Sequence, residues 1–262
     1  MNSEFTYLPQ AGSSETEKNK YSELRTNHSE LIIDKSEMRN RISESSIIED
    51  KELAEYYSLM AKRYMGIPCK RVLKRVMAKG IERGTILDVG TGPGIFPIFL
   101  SKSLPEVQFQ GIDLSSVMIE IAKKNAIEEA VGNRIDFEVG SAYSLPCEDH
   151  SIDLLLCINT LHHLDRPVEF FNEVVRALKG GGGFVIVDFH RDTSPFLIWL
   201  FDVLWRFFFK GHPNAREGFL ESVRSSYTIK ECKNFLEHSE LRDWYLYTRA
   251  IEMWIESKKM RN

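Results

Sequence analysis

Three glycines stand two apart in Gly90-Thr91-Gly92-Pro93-Gly94, and an acid, Asp88, comes two residues before them. An apolar stretch runs into this loop and another leaves it, the layout of a nucleotide-binding turn between a strand and a helix. Glycine lets the backbone turn sharply and lets a ligand approach without Cβ atoms in the way. The phosphate fingerprint is G-x-G-x-x-G. Here the third glycine comes one residue early, and Ile95 holds the position the fingerprint wants. Asp88 would repel a phosphate, and no G-K-[ST] follows, which excludes a Walker loop. The ligand expected is adenosine-like and not a polyphosphate.

A second acid, Asp113, closes the next apolar stretch in "GIDLS". At about 20 residues beyond such a loop, a carboxylate can accept both hydroxyls of a ribose. The elements that must position these groups alternate. "TILDVG" reads as a strand, 96–103 as a helix, "VQFQGID" as a strand, and "SSVMIEIAKKNAIEEA" as a helix with a serine at its N-cap. "RIDFEVG" and "SIDLLLCIN" are strands, "PVEFFNEVVRALK" a helix, and "GGGGFVIVDF" a glycine-rich turn into a further strand. This pattern predicts an α/β fold with a doubly wound, mostly parallel sheet of seven strands. Thr228 should cap a helix to His238, after which "DWYLYTR" and "IEMWIES" close the sheet as an antiparallel hairpin.

Ahead of the loop, "IIEDKELAEYYSLMAKRYM" places Leu53, Tyr56, Tyr57, Met60 and Tyr64 at helical spacing, and a second helix is expected over 68–78. Residues 1–45 are rich in Ser, Glu, Asn and Lys and bury too little to offset their ordering entropy, so a mobile tail precedes a domain over 46–262. The 262 residues carry a net charge of −4, which gives no pull toward nucleic acid. Cys69, Cys147, Cys157 and Cys232 form no CxxC pair, so neither a metal site nor a disulfide framework is expected. The first 20 residues lack a charged start followed by an apolar run, and the chain reads as cytoplasmic.

"LDVGTGPG", "GIDLS", "GSAYSLPCEDHSIDLLLCINTLHHLDRP" and "LKGGGGFVIVDF" resemble successive motifs of class I S-adenosylmethionine-dependent methyltransferases. The similarity runs from Tyr56 to Phe189 and is nearest to the small-molecule branch that includes the ubiquinone and menaquinone methyltransferases. It implies S-adenosylmethionine as cofactor, with Gly90, Thr91, Gly92 and Gly94 under its methionine part. Asp88 would then hold the loop or the amino group, and Asp113 would bind the ribose, with Leu114 and Met118 beside the adenine. Many members carry Gly-Asp-Ala after the third strand, where this chain has Gly140-Ser141-Ala142. Serine can still accept from the adenine amino group but without charge, a weaker contact. Asn159 would offer its backbone to the cofactor. Tyr57 is read either as a lid over the methionine end or as a core aromatic.

Methyl transfer asks mainly for alignment of acceptor, carbon and sulfur with water excluded. A general base is needed only where the acceptor must lose a proton. The acceptor should sit above the ends of strands four and five. His162 and His163 follow the fourth strand and could act as base or orient an acceptor, or could simply fix the loop over the cofactor. His190 and Asp192, past strand five, are further candidates or else solvated loop residues.

From Phe196 to Phe209, twelve of fourteen residues are large and apolar, the exceptions being Asp202 and Arg206. The stretch is too short to span a bilayer. It is read as a lid helix over an apolar pocket within an insertion at 190–227, as an interfacial helix making peripheral membrane contact through 196–209, or as a buried helix. The function expected is methyl transfer to a small, hydrophobic or aromatic metabolite. A methyltransferase acting on a macromolecule and a catalytically silent binding subunit are the alternatives. The acceptor and the oligomeric state are left open.

Overall fold

The computed structural model describes residues 41–42, 48–208 and 215–258, the side chains of 205–208 and 215–217 excepted. Apart from Arg41 and Ile42, the tail expected over 1–45 lies outside the described residues.

Seven apolar runs become strands: β1 (Gly84–Val89), β2 (Val107–Asp113), β3 (Ile135–Val139), β4 (Ile152–Ile158), β5 (Leu178–Phe189), β6 (Trp244–Arg249) and β7 (Glu252–Ser257). They form one sheet in the order β3-β2-β1-β4-β5-β7-β6. β1 to β5 are parallel, whereas β7 runs antiparallel to β5 and pairs with β6 as a hairpin. The doubly wound sheet and its closing hairpin are therefore as the alternation predicts. Strand order reverses between β1 and β4, and in open sheets ligands bind outside the carboxyl ends of the strands at such a switch point.

Neighbouring residues of a strand face opposite sides, which divides the core in two. Ile86, Phe109, Leu154, Val185 and Trp254 lie on one side; Leu87, Leu155, Ile186, Met253 and Ile255 lie on the other. Of the helices, α1 (Lys51–Tyr64) precedes the sheet, and α2 (Gly66–Ala78), α3 (Ile95–Ser101) and α4 (Ser116–Glu128) cover the first side. α5 (Pro167–Ala177) packs Phe170, Phe171 and Val174 onto the second side. α6 (Pro195–Phe208) and α7 (Ala215–Ser225) follow β5. α8 (Ile229–His238) adds Cys232 and Leu236 to the second side. Burying each large apolar side chain is worth about 2 kcal/mol, and the two layers together fix the strand ends that carry the loops.

The caps follow the sequence. Ser115 accepts from the Met118 N–H at 3.1 Å, and Thr228 with Glu231 makes a reciprocal capping box. Two local readings change. The glycine run before "FVIVDF" belongs to β5: Leu178 pairs with Ile152, and Gly183 with Leu154 after a bulge. The face of α1 that buries is Ala54 and Ser58, while Leu53 and Tyr57 stay half-exposed. Small residues let α1 settle against Met118 and Ile121 of α4, where an aromatic stripe would hold it away.

Candidate active site

β1 ends in Asp88 and Val89, and the chain turns at Gly90 with φ +70°. A Cβ there would stand 2.2 Å from the Thr160 hydroxyl, so the β1 loop and the β4 loop can meet only at a glycine. At Gly92, φ is +51° and a Cβ would meet nothing within 4 Å, which leaves open space over the loop. The Thr91 amide donates to the Ile112 carbonyl at 2.8 Å, and the Thr91 hydroxyl to Asp88 Oδ2 at 2.8 Å. Asp113, at the end of β2, accepts from the Gly92 amide at 2.9 Å and the Ser115 amide at 2.9 Å. Each of its oxygens thus holds one amide and keeps a lone pair for a hydroxyl.

The other expected cofactor residues surround this loop. Leu114 is half-exposed at its edge, while Met118 is buried against Ala54 of α1. The Gly140 amide donates to the Asp113 carbonyl at 3.0 Å, which brings Ser141 and the buried Ala142 beside the end of β2. The Ser141 hydroxyl accepts from the Tyr143 amide at 3.2 Å, leaving it one further lone pair. Asn159 takes a left-handed backbone, φ +54°, with its amide on the Val187 carbonyl at 2.8 Å. Asn tolerates that conformation better than most residues, and it turns the chain sharply out of β4. Gly94 opens α3, also at positive φ. Tyr57 lies on the half-exposed face of α1 and is not a core residue.

One fastening went unread in the sequence. Asn125 of α4 is buried and its amide nitrogen reaches the Pro93 carbonyl at 2.8 Å and the Ser58 hydroxyl at 3.0 Å. It ties α1 to the glycine loop. A mid-helix asparagine carries no local signal for such a role.

Burial pushes the Asp88 carboxyl up to about 7, with Asp113 adding to the rise and the Thr91 hydroxyl opposing it. A cation beside it would restore its charged form. The buried acid, the open space over Gly92 and the free lone pairs of Asp113 together fit a nucleoside that carries an ammonium group.

In the turn that follows β4, His162 is 2% exposed. Its Nδ1 lies 2.7 Å from Asp188 Oδ1, and its amide donates to Asp188 Oδ2 at 2.9 Å. The Phe189 amide also donates to Asp188 Oδ1, at 2.7 Å. With three N–H groups converging on one carboxyl, Nδ1 carries the proton and Nε2 is the acceptor nitrogen. Asp188, the last polar residue of β5, was not singled out in the sequence because "FVIVDF" reads there as strand. His163 is exposed, with its ring centroid 4.1 Å from that of His162. His190 goes elsewhere. Its Nε2 lies 3.3 Å from the Ala250 carbonyl, its Nδ1 is buried without a hydrogen bond, and burial lowers its pKa. Asp192 accepts from the Ile229 amide at 2.8 Å, which engages it at the start of α8.

Residues 86–182 match the family model described as a methyltransferase domain. Demethylmenaquinone methyltransferase of Deinococcus radiodurans is 30% identical over 183 residues, covering 64% of this chain and 70% of that protein. The chain belongs to the class I S-adenosylmethionine-dependent methyltransferase family. Ajmaline N-methyltransferase of Rauvolfia serpentina is 33% identical over 111 residues, 42% of this chain, and the match spans only 38% of that relative's length. Among solved structures, a Methanococcus maripaludis protein classed as an S-adenosyl-L-methionine-dependent methyltransferase superposes with a TM-score of 0.66. At 23% identity, covering 84% of this chain and 98% of that one, it speaks to the fold.

Proposed function

We propose that the chain binds S-adenosylmethionine through the β1 and β2 loops and methylates a small, hydrophobic or aromatic metabolite, with His162 as the proton acceptor and Asp188 as its orienting partner. The observation that carries this reading is the His162–Asp188 pair, held at the adjoining ends of β4 and β5 in the turn whose Thr160 hydroxyl meets the Gly90 carbonyl of the glycine loop at 3.3 Å. Asp88 and Asp113 orient the cofactor, Asp88 at its amino group and Asp113 at its ribose. Ser141 and Ala142 border the adenine. S-Adenosylmethionine, when bound, supplies a methyl group already activated on a sulfonium sulfur. His162 holds one proton at Nδ1 toward Asp188 and takes another at Nε2 from a hydroxyl, amine or carbon acid.

The relatives named for demethylmenaquinone and ajmaline are consistent with an apolar, ring-bearing acceptor. So is α6, where Phe196, Trp199, Val203 and Leu204 are exposed beside the end of β5. We assign the described parts of 190–227, residues 190–208 and 215–227, to a lid over the acceptor, and the exposed residues of α6 also suit peripheral membrane contact; residues 209–214 of that expectation lie outside the described residues. Among the described residues, no helix is long and apolar enough to cross a membrane. Four unpaired cysteines suit a reducing, cytoplasmic setting.

The test is transfer of labelled methyl from S-adenosylmethionine to a panel of quinols, phenols and amines, beside His162→Gln. Transfer to at least one apolar acceptor, lost in the variant while cofactor binding persists, supports the proposal. Cofactor binding without transfer to any of them favours the silent binding subunit.

A further inference from the structure

Arg41 lies outside every motif of the glycine-loop domain, yet its side chain is only 17% exposed and its three guanidinium nitrogens are all engaged. Nε donates to the Ser225 carbonyl at 2.7 Å, Nη1 to Asp165 Oδ1 at 2.9 Å, and Nη2 to the His162 carbonyl at 2.8 Å. The guanidinium carbon stands 4.4 Å from the centroid of the Tyr227 ring. Tyr227 in turn donates its hydroxyl to the Leu164 carbonyl at 2.5 Å. Beside it, the Ile42 amide reaches the Arg224 carbonyl at 3.4 Å.

The turn 162–165 is therefore gripped from two directions. Asp188 holds His162 from the strand side, by its amide and its Nδ1–H. Arg41 and Tyr227 hold the opposite side, through the His162 and Leu164 carbonyls and the Asp165 carboxyl. Rotation of this turn is what would swing the imidazole away from Asp188. We propose that Arg41 is a positioning residue for His162, a clasp that keeps the imidazole in register with Asp188. A planar fork that serves three acceptors and stacks on a ring is specific to arginine. Lysine offers a point charge and cannot span the same set. The inference rests on the His162–Asp188 reading given above.

The test is proton NMR of the full chain, following the His162 Nδ1–H, assigned by its loss in His162→Gln. Arg41→Ala and Arg41→Lys should both speed its exchange with water about tenfold, the factor one lost hydrogen bond carries. Cooperative unfolding and binding of S-adenosylhomocysteine should persist in both variants, which separates positioning from general damage. Should Arg41→Ala fail to fold, Asp165→Ala removes one exposed anchor and should speed exchange two- to threefold, roughly the share of one partner. Unchanged exchange in Arg41→Ala, or in Asp165→Ala where that variant stands in, overturns the inference and leaves the pair with Asp188 intact. Full protection in Arg41→Lys overturns it too, because charge alone would then suffice. If the wild-type chain shows no protected Nδ1–H, the pairing with Asp188 itself fails and the role of Arg41 falls with it.

Discussion

Lowering the pH from about 7 to about 5.5 should weaken S-adenosylmethionine binding roughly fifteenfold, through a single carboxyl. Asp88 is 1% exposed, and burial raises it from 3.8 to about 7. In the proposed site, its charged form is the one that would pair with the cofactor's ammonium. Binding must therefore displace a proton wherever Asp88 starts protonated, and near pH 7 about half a proton should leave. The ammonium itself titrates at about 7.7–8, above this window. For folding, the unfolded chain ionises Asp88 near 3.8 while the folded one keeps its proton to about 7. The cofactor-free protein should thus lose stability as pH rises between those values, by about 4 kcal/mol in all. Asp88→Asn should erase both dependences, weakening cofactor binding while stabilising the cofactor-free protein above pH 7. Calorimetry in two buffers of different ionisation heat reads the Kd and the proton release together. A Kd that stays flat from about pH 5.5 to 7, or an equal slope in Asp88→Asn, refutes the reasoning.

Asp188→Asn keeps the shape but not the charge, so kcat for methyl transfer should fall about a hundredfold or more with KM little changed; an unaltered kcat contradicts the pairing with His162. Gly90→Ala puts a Cβ 2.2 Å from the Thr160 hydroxyl at φ +70° and should cost about 2–3 kcal/mol in urea unfolding, and a cost below about half a kcal/mol would mean the β4 loop yields freely. Ser141→Asp supplies a charged acceptor where the proposal places the adenine and should tighten S-adenosylmethionine about fivefold, whereas weaker binding would place Ser141 away from that amino group.

The sheet was legible in the sequence because the strands are apolar runs between turn residues and the carboxyl ends of β1, β2 and β4 carry distinctive residues, Asp88, Asp113 and Asn159. Ser115 and Thr228 announced their helices by capping chemistry alone. The burial of α1 was not legible. Periodicity finds a stripe but not its partner, and the close approach to Met118 and Ile121 selects Ala54 and Ser58 over the tyrosines. Asp188 and Arg41 stayed hidden for a related reason. Their partners lie 26 and 121 residues away, so a strand-end acid and one arginine in a polar segment acquire roles only when the β4 and β5 loops come together. His190 shows the converse, a histidine at a strand end whose ring is turned to the Ala250 carbonyl of the β6–β7 turn.

Titrating the purified chain with S-adenosylmethionine, beside Asp113→Ala, tests the cofactor site most directly. One cofactor should bind per chain, and the variant should bind about a hundredfold more weakly, since the carboxylate proposed to span two ribose hydroxyls is lost and the Gly92 amide loses its acceptor. Absence of binding to the wild-type chain, or equal affinity in the variant, would contradict the placement of the ribose at the end of β2.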